Sequence, residues 1–255
     1  TMQSLGRQPQ PAYSAAAFVC PGWGLQRARS TGVLRQGASR SSRPPLQYLR
    51  ASATGVEAVA LLKERFLQLS QESGDPAIGV PENVQGALDD IARQLEAQNA
   101  IKDVATTNSL ALDGTWRVRY TNCVPPSNGQ LGPFVGAPFQ VVDIEKGSYQ
   151  NRLGFFGRNV EVVLSADWTV RDGDTWIVTF RTLGLEVFGQ GLPKIKFPKG
   201  TSKTWCMTYT DADTRLVRAG SDGAYSPSRA LGLYDKTSGI EKDAFLFYMT
   251  REPAK

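Results

Sequence analysis

From residue 112 onward, apolar and polar side chains alternate with a period of two, and this pattern most constrains the fold. The stretch 112–121 reads LDGTWRVRYT, in which Trp116, Val118 and Tyr120 alternate with polar residues. Successive side chains of an extended strand point to opposite faces, so this stretch has one apolar face and one wet face. The large inward indole of Trp116 predicts the floor of an antiparallel sheet or barrel.

The same alternation returns along the rest of the chain. Every second residue from Val160 to Val170 is apolar over eleven positions. Shorter candidate strands lie at 139–144, 176–181, 204–209, 216–219 and 245–250. About eight or nine strands in this region predict a mainly-β fold, an up-and-down antiparallel barrel. A packed sandwich needs the same alternation and stays an alternative at this point.

Two amphipathic helices are predicted ahead of the strands. Leucine-rich stripes at helical spacing run along 56–71 and 82–101, with mixed acidic and basic residues on the other faces. Such stripes usually pack on the parent domain. The mixed charge disfavours membrane insertion, and no stretch approaches the roughly 20 apolar residues of a membrane-spanning helix.

The first 56 residues differ in composition from the rest. They contain seven Arg and no Asp or Glu, so their net charge is +7. The remaining residues carry a net charge of −2, which gives +5 for the whole chain. An acid-free leader rich in Arg and Ser is typical of an organelle transit peptide, with a disordered basic tail as the alternative. The remainder is slightly acidic, so nucleic-acid binding is not predicted.

The chain contains no histidine, which removes the commonest general base and metal ligand. No nucleotide-binding loop and no CxxC spacing are present, so neither a cofactor nor a metal site is predicted. Asp143, Asp167 and Asp222 remain as acid or base groups, but strand-end, outward or turn positions explain each of them. Cys123 and Cys206 are expected as free thiols, with a disulfide between them as the alternative. The chain is predicted not to be an enzyme.

Three motifs in order resemble a known family. They are LDGTWRVRYT with FQVVDIEKGSYQNRL after Gly132-Pro133-Phe134, then TYTDADTRLVRAGSDG from Thr208, and FLFYMTRE from Phe245. Together they are similar to the plastid lipid-associated proteins, also called plant fibrillins or plastoglobulins. The sequence departs from that family's pattern at 218–223, where the turn is looser.

The resemblance implies a lipocalin-like barrel and a three-part organisation. Residues 1–54 are the expected plastid transit peptide, 55–110 a helical segment packed on the barrel, and 111–252 the barrel. The implied function is non-enzymatic binding or coating of lipophilic molecules, such as prenylquinones, carotenoids or acyl lipids, at plastoglobules or thylakoid membranes. A barrel enzyme that isomerises or cyclises a bound lipophile, and a scaffold for a plastid isoprenoid-biosynthesis enzyme, are the alternatives.

A barrel of about eight strands holds one small ligand or fills itself with side chains. The predicted ligand-binding interior consists of inward aromatic and apolar residues: Trp116, Val118, Tyr120, Phe139, Trp168, Trp176, Phe180, Trp205 and Tyr209. Arg218 and Asp222 are the candidate polar contacts to a ligand, and stacking of Arg119 or Arg218 on an aromatic ring is expected to close one end.

Two loops are expected to face partners. The stretch 124–138, rich in Pro and Gly, is either a flap over the barrel mouth or a packed crossover. The stretch 183–203 interleaves lysines with apolar residues, which suits an anionic lipid surface. Its candidate membrane rim comprises Phe188, Lys194, Lys196, Phe197 and Lys199; a solvated edge with a charge run is the alternative.

Overall fold

The computed structural model describes residues 55–72, 80–123, 125–197, 200–221 and 245–253, and the predicted transit peptide lies outside these ranges. Two helices come first, α1 (Gly55–Glu72) and α2 (Glu82–Ala97). The strands described after them are β1 (Gly114–Thr121), β2 (Gln130–Leu131), β3 (Phe134–Val135), β4 (Ala137–Asp143), β5 (Ser148–Phe155), β6 (Val160–Val170), β7 (Thr175–Val187), β8 (Gln190–Gly191), β9 (Ile195–Lys196), β10 (Ser202–Thr210), β11 (Thr214–Ser221) and β12 (Phe245–Arg251).

Eight of these strands form a closed antiparallel barrel in the order β1-β4-β5-β6-β7-β10-β11-β12. The ring closes because β12 pairs with β1 and β7 pairs with β10. Strands β8 and β9 pair with the second half of β7, and β2 and β3 form a small separate hairpin. The predicted fold class, a mainly-β barrel preceded by two helices, is confirmed, and the sandwich alternative is wrong.

The two helices cover one side of the barrel, over β1 and β10 to β12. Phe66 of α1 and Leu88 and Leu95 of α2 are fully buried against the outward side chains of these strands. The ring of Phe66 stacks on Tyr248 at 4.2 Å between centroids. The apolar stripes read from the sequence therefore pack on the barrel wall.

Helix α2 ends at Ala97, four residues earlier than the apolar stripe predicted. The amides of Gln98 and Asn99 bond to carbonyls three residues back, which tightens the last turn. The Asn99 side chain then accepts a hydrogen bond from the Thr210 amide at 3.3 Å. This bond to β10 holds the chain away from a continued helix.

A β-bulge interrupts the alternation in β1 and another in β10. The register shifts between Val118 and Tyr120 in β1, and between Met207 and Tyr209 in β10. An extra residue turns the following side chain to the opposite face. Tyr120 and Tyr209 consequently lie in the cluster beneath the helices.

The barrel has two unlike ends. The end that we call the sealed end carries the turns at 143–148, 170–175 and 210–214. The opposite end, called the open end, carries the described parts of 122–136 and 188–201 and the turn at 156–159.

Candidate functional site

The segment 101–112 closes the sealed end. Val104, Ala105 and Leu112 belong to the cluster of side chains inside the barrel. The indole N–H of Trp116 donates to the Leu112 carbonyl at 2.9 Å, and that of Trp176 donates to the Ala105 carbonyl at 3.3 Å. Trp116 thus lies at the closed end, as the sequence predicted.

Two guanidinium groups pack on the Trp116 ring. Arg251 lies 4.1 Å and Arg215 4.6 Å from the ring centroid. Arg251 also donates to the carbonyls of Ala111 and Ala212, each at 2.7 Å. The stacking that was expected for Arg119 or Arg218 is therefore made by two other arginines, and that prediction is wrong.

Arg119 and Arg218 lie on the outer wall. Arg119 donates to the Thr250 hydroxyl at 2.8 Å and lies 3.6 Å from the Glu252 carboxylate. Arg218, only 6% exposed, bonds at 2.7 Å to both Asp89 and Glu96 of α2. Arg218 therefore fastens α2 to β11, so its predicted role as a ligand contact inside the barrel is wrong.

The ion pair with Arg218 changes the acid–base behaviour of its partner. Burial disfavours ionisation of Asp89, but the charge and hydrogen bond of Arg218 outweigh it and lower the pKa of that carboxyl. The guanidinium likewise has a raised pKa, because bonds to Glu96 and Asp89 exceed the cost of its own burial. The contact between α2 and the barrel is thus charged at neutral pH.

The structure places most, though not all, of the predicted interior residues inside the barrel. Those in or against the inner cluster are Trp116, Val118, Trp168, Trp176, Phe180 and Trp205. Trp168 stacks on Trp176 at 4.7 Å, and Trp205 packs against Phe247 at 5.2 Å. These aromatic side chains occupy much of the barrel interior near the sealed end. Their role in ligand binding stays a prediction.

Three of the predicted interior residues face outward. Tyr120 and Tyr209 follow the two bulges and pack beneath the helices, and burial raises the pKa of Tyr120 to about 12. Phe139 is opposite Arg117 in the β1–β4 pair, on the outer face, with the Arg158 guanidinium 4.5 Å from its ring centroid. The interior assignment of these three is wrong, because bulges and strand register decide the face.

A polar cluster inside the barrel was not predicted. Arg215, only 1% exposed, donates to the Gln140 amide oxygen, and Gln140 in turn contacts the Tyr149 hydroxyl. The Tyr149 hydroxyl donates to Asn151 at 3.0 Å. Gln140 is opposite Trp116 and shares its inward face. One inward Gln between apolar neighbours was the sequence signal for this cluster.

The electrostatics of this cluster follow from burial. Removal from water raises the pKa of the Tyr149 phenol and lowers the pKa of the Arg215 guanidinium. The Arg215 Nε and the Trp205 Nε1 are buried and have no hydrogen-bond partner among the described residues. The interior therefore combines an aromatic lining with donors that no described residue uses.

A pocket of about 390 Å³ lies at the open end, where the barrel wall separates. Strand β1 pairs with β4 only from Gly114 to Arg117, and the two strands diverge beyond that point. The pocket is lined by residues of α1, β1, β4, the end of β5 and the 125–136 stretch: Leu67, Ser70, Gln71, Arg117, Val118, Arg119, Tyr120, Thr121, Asn128, Val135, Gly136, Ala137, Pro138, Gly154, Phe155 and Phe156. Its volume falls within the ordinary range for small-molecule sites, about 300–1,000 Å³.

Large apolar side chains are exposed around the open end. Phe188 is 77% and Phe156 is 71% exposed, and both have left-handed backbones with φ near +50°. The Phe188 amide donates to the Asn159 carbonyl at 2.7 Å, so these two turns touch. Phe134 and Val135 are exposed beside them. We call Phe134, Val135, Phe156 and Phe188 the phenylalanine rim.

The predicted membrane rim is placed at the same end, with one correction. Phe188, Lys194 and Lys196 are exposed. Phe197 is buried in the inner cluster, 5.7 Å from the Phe180 ring, so its assignment to the rim is wrong. The chain turns inward there because the Phe197 amide bonds back to the Arg181 carbonyl of β7. Lys199 and Asp222 lie outside the described residues.

Asp143, Asp167 and the two cysteines singled out in the sequence lie outside the pocket. Asp143 pairs with Lys146 at 2.8 Å in an exposed turn, and Asp167 pairs with Arg181 on the outer wall. Cys206 is a free, half-buried thiol whose pKa burial raises to about 11, so no Cys123–Cys206 disulfide is formed. Cys123 is disulfide-bonded, so the expectation of a free thiol is confirmed for Cys206 and wrong for Cys123. Within the described ranges, no three His, Cys, Asp or Glu residues are grouped to hold a metal ion.

Neither described helix is long and apolar enough to cross a membrane. Compared with known proteins, the chain matches no protein-family model, and no curated protein or solved structure matches it significantly.

Proposed function

We propose that this protein binds lipophilic molecules of the plastid without chemical turnover, at plastoglobules or thylakoid membranes. The carrying observation is the pocket of about 390 Å³ that opens beside the phenylalanine rim. The ordered motifs that resemble the plastid lipid-associated proteins and the acid-free leader support the plastid location. Prenylquinones, carotenoids and acyl lipids are the ligand classes that the resemblance suggests.

The arrangement of the open end supports a route between a lipid surface and the pocket. Phe156 belongs both to the rim and to the pocket lining, and Val135 does as well. An apolar molecule that leaves a lipid phase at the rim therefore reaches the pocket along apolar side chains. Lys194 and Lys196, exposed at the same end, add attraction to anionic lipids of about 1 kcal/mol each.

The positions of the acidic groups favour binding over catalysis. A carboxylate or phenol that faces a cavity would support the enzyme alternative. Asp143 lies in an exposed turn at the sealed end, and Tyr209 packs beneath the helices. The phenol that does line the pocket is Tyr120, and burial raises its pKa to about 12, so it is a poor acid–base group near neutral pH. The packed lower barrel and the exposed rim instead support the scaffold alternative as the second candidate, since a rim of this kind also suits a protein partner.

The lipid content of the purified full chain tests this proposal. We expect mass spectrometry to detect a co-extracted plastid lipophile after expression in plant tissue. Val135→Trp narrows the pocket and should lower the loading several-fold, whereas Val170→Trp should not. Val135 and Val170 are 51% and 49% exposed, but Val170 lies at the sealed end, which makes it a matched control. The proposal is contradicted if the two variants carry equal amounts of lipid. It is also contradicted if the purified chain contains no lipid and does not bind plastid lipid vesicles.

A further inference from the structure

We propose that the open-end pocket takes an anionic amphiphile, a fatty carboxylate whose head group pairs with Arg117. This inference rests on the proposed function, because it names the chemical class of a lipophile in the same pocket. It is carried by a cation that no carboxylate of the described residues neutralises, by a second cation beside it, and by apolar side chains that lead to the rim.

Arg117 is the cation that has no carboxylate partner in the described part of the chain. It projects from the outer face of β1 into the pocket, at the last residue that pairs with β4. Among the described residues no carboxylate lies within 4 Å of its guanidinium, which lies 5.9 Å from the centroid of the Phe139 ring. Its donors are therefore available to an acceptor that enters the pocket.

Arg119 lies two residues further along β1 and lines the same pocket. It is held by Thr250 and Glu252, so its position is fixed without its charge being fully neutralised. Partial burial and the nearby charge of Arg117 both lower the pKa of Arg119. A bound carboxylate relieves the repulsion between the two guanidiniums, which is the electrostatic reason for an anion at this place.

The rest of the pocket suits an alkyl chain. Leu67, Val118 and Phe155 line it, together with Val135 and Pro138. The backbone approaches closely at Gly136, where a Cβ atom would lie 2.8 Å from both the Gly154 carbonyl oxygen and the Phe155 ring. Glycine therefore keeps this wall free of a side chain. Phe156 lines the pocket and belongs to the rim, so a chain longer than the pocket can extend along it to the rim.

A neutral lipid does not account for the two arginines. Exposed cations on a protein wall are ordinary, but these two line a pocket beside apolar side chains. A head group that carries a single negative charge, followed by an apolar chain, matches both the arginines and the apolar side chains. A bidentate bond between a guanidinium and a carboxylate is the strongest form of this pairing.

Fluorescence titration of the full chain with cis-parinaric acid and its methyl ester tests the inference. The wild-type protein should bind the acid about ten-fold more tightly than the ester, and Arg117→Gln should bring the ratio of the two affinities close to one. Arg117→Lys should retain part of the preference. Arg171→Gln, the same change of charge in an exposed residue at the sealed end, should leave the preference unchanged.

The outcomes separate the inference from the proposed function. Equal affinity for acid and ester in the wild type overturns the inference while ester binding upholds the proposed function. Failure of both probes to bind contradicts both. Competition by acetate alone would show a small-carboxylate site and overturn the amphiphile. The wild-type comparison needs no variant. If high salt weakens binding of the acid and leaves binding of the ester unchanged, the ion pair is supported even if Arg117→Gln fails to fold.

Discussion

The two ends of the barrel are built on opposite principles. At the sealed end, the indole N–H groups of Trp116 and Trp176 bond to backbone carbonyls, and Arg251 caps further carbonyls. At the open end, two phenylalanines are held in left-handed backbone conformations with their rings in solvent. Nearby, two strands separate to leave a pocket.

This difference indicates that the sealed end contributes stability, and it is consistent with the binding role that we propose for the open end. Satisfied polar groups and filled space are the features of a structure selected to stay folded. Backbone strain at exposed apolar side chains has no stabilising effect on the isolated molecule, so it is expected where a surface meets a partner. We therefore expect substitutions at the two ends to separate stability from binding.

The largest effect is expected at the sealed end, for Trp116→Ala. This change deletes a fully buried indole, its hydrogen bond to Leu112 and two guanidinium contacts. The free energy of unfolding should fall by about 4 kcal/mol, as for other buried aromatic truncations. Urea unfolding followed by circular dichroism measures it, with Phe156→Ala as the open-end control. A loss near zero for Trp116→Ala would remove the contrast between the ends.

Acid should weaken the sealed end next. Lys63 of α1 lies 2.5 Å from Asp211 and 2.6 Å from Asp213, in the turn between β10 and β11. Partial burial opposes ionisation of Asp213, but hydrogen bonds from Lys63 and Thr214 outweigh it and lower its pKa to about 2.

Because the folded pKa of Asp213 is below its ordinary value, its stabilisation is present above about pH 4 and is lost as the pH falls towards 2. The carboxylate is largely exposed, so we expect no more than about 1 kcal/mol. In Asp213→Asn, the free energy of unfolding should depend less steeply on pH over this range than in the wild type. Asp167→Asn, whose ion pair is exposed on both sides, should leave the wild-type slope; equal slopes for both variants would contradict the assignment.

The smallest change in stability is expected at the open end, for the double variant Phe156→Gly with Phe188→Gly. Glycine accepts φ near +50° without strain, which offsets its greater freedom in the unfolded chain, so the unfolding free energy should stay within about 0.5 kcal/mol. Binding to phosphatidylglycerol–phosphatidylcholine vesicles should nevertheless weaken by about ten-fold. Leu110→Ala, a residue as exposed as Phe188 but near the sealed end, is the control. Unchanged vesicle binding by the double variant would rule out the rim as the membrane contact.

The sequence was sufficient to predict the barrel and the helices on its wall. Period-two and helical patterns are local, and each follows directly from which face of an element is buried. The faces of Tyr120 and Tyr209 were not predictable, because a bulge depends on the partner strand and leaves no apolar or polar mark of its own. Phe139 was misassigned for a related reason, since its strand is apolar on both faces.

The candidate site was less accessible from the sequence than the fold. Its pocket exists because β1 and β4 separate after Arg117, which is a property of two strands and a loop rather than of one segment. In the sequence, Arg117 is one of the polar residues that alternate with Trp116 and Val118, and no role was predicted for Arg215. Only register distinguishes Arg215, buried beside Gln140, from Arg218, bound to α2.

The position of β12 in the ring has a consequence for the order of assembly. β12 pairs with β11 on one side and with β1 on the other, although about 125 residues separate β1 from β12 along the chain. A chain that emerges from the ribosome from its N-terminus can form the successive hairpins from β4 to β7 as they appear. The ring cannot close until residues 245–251 have emerged, so one edge of β1 stays unpaired while about 125 further residues are synthesised.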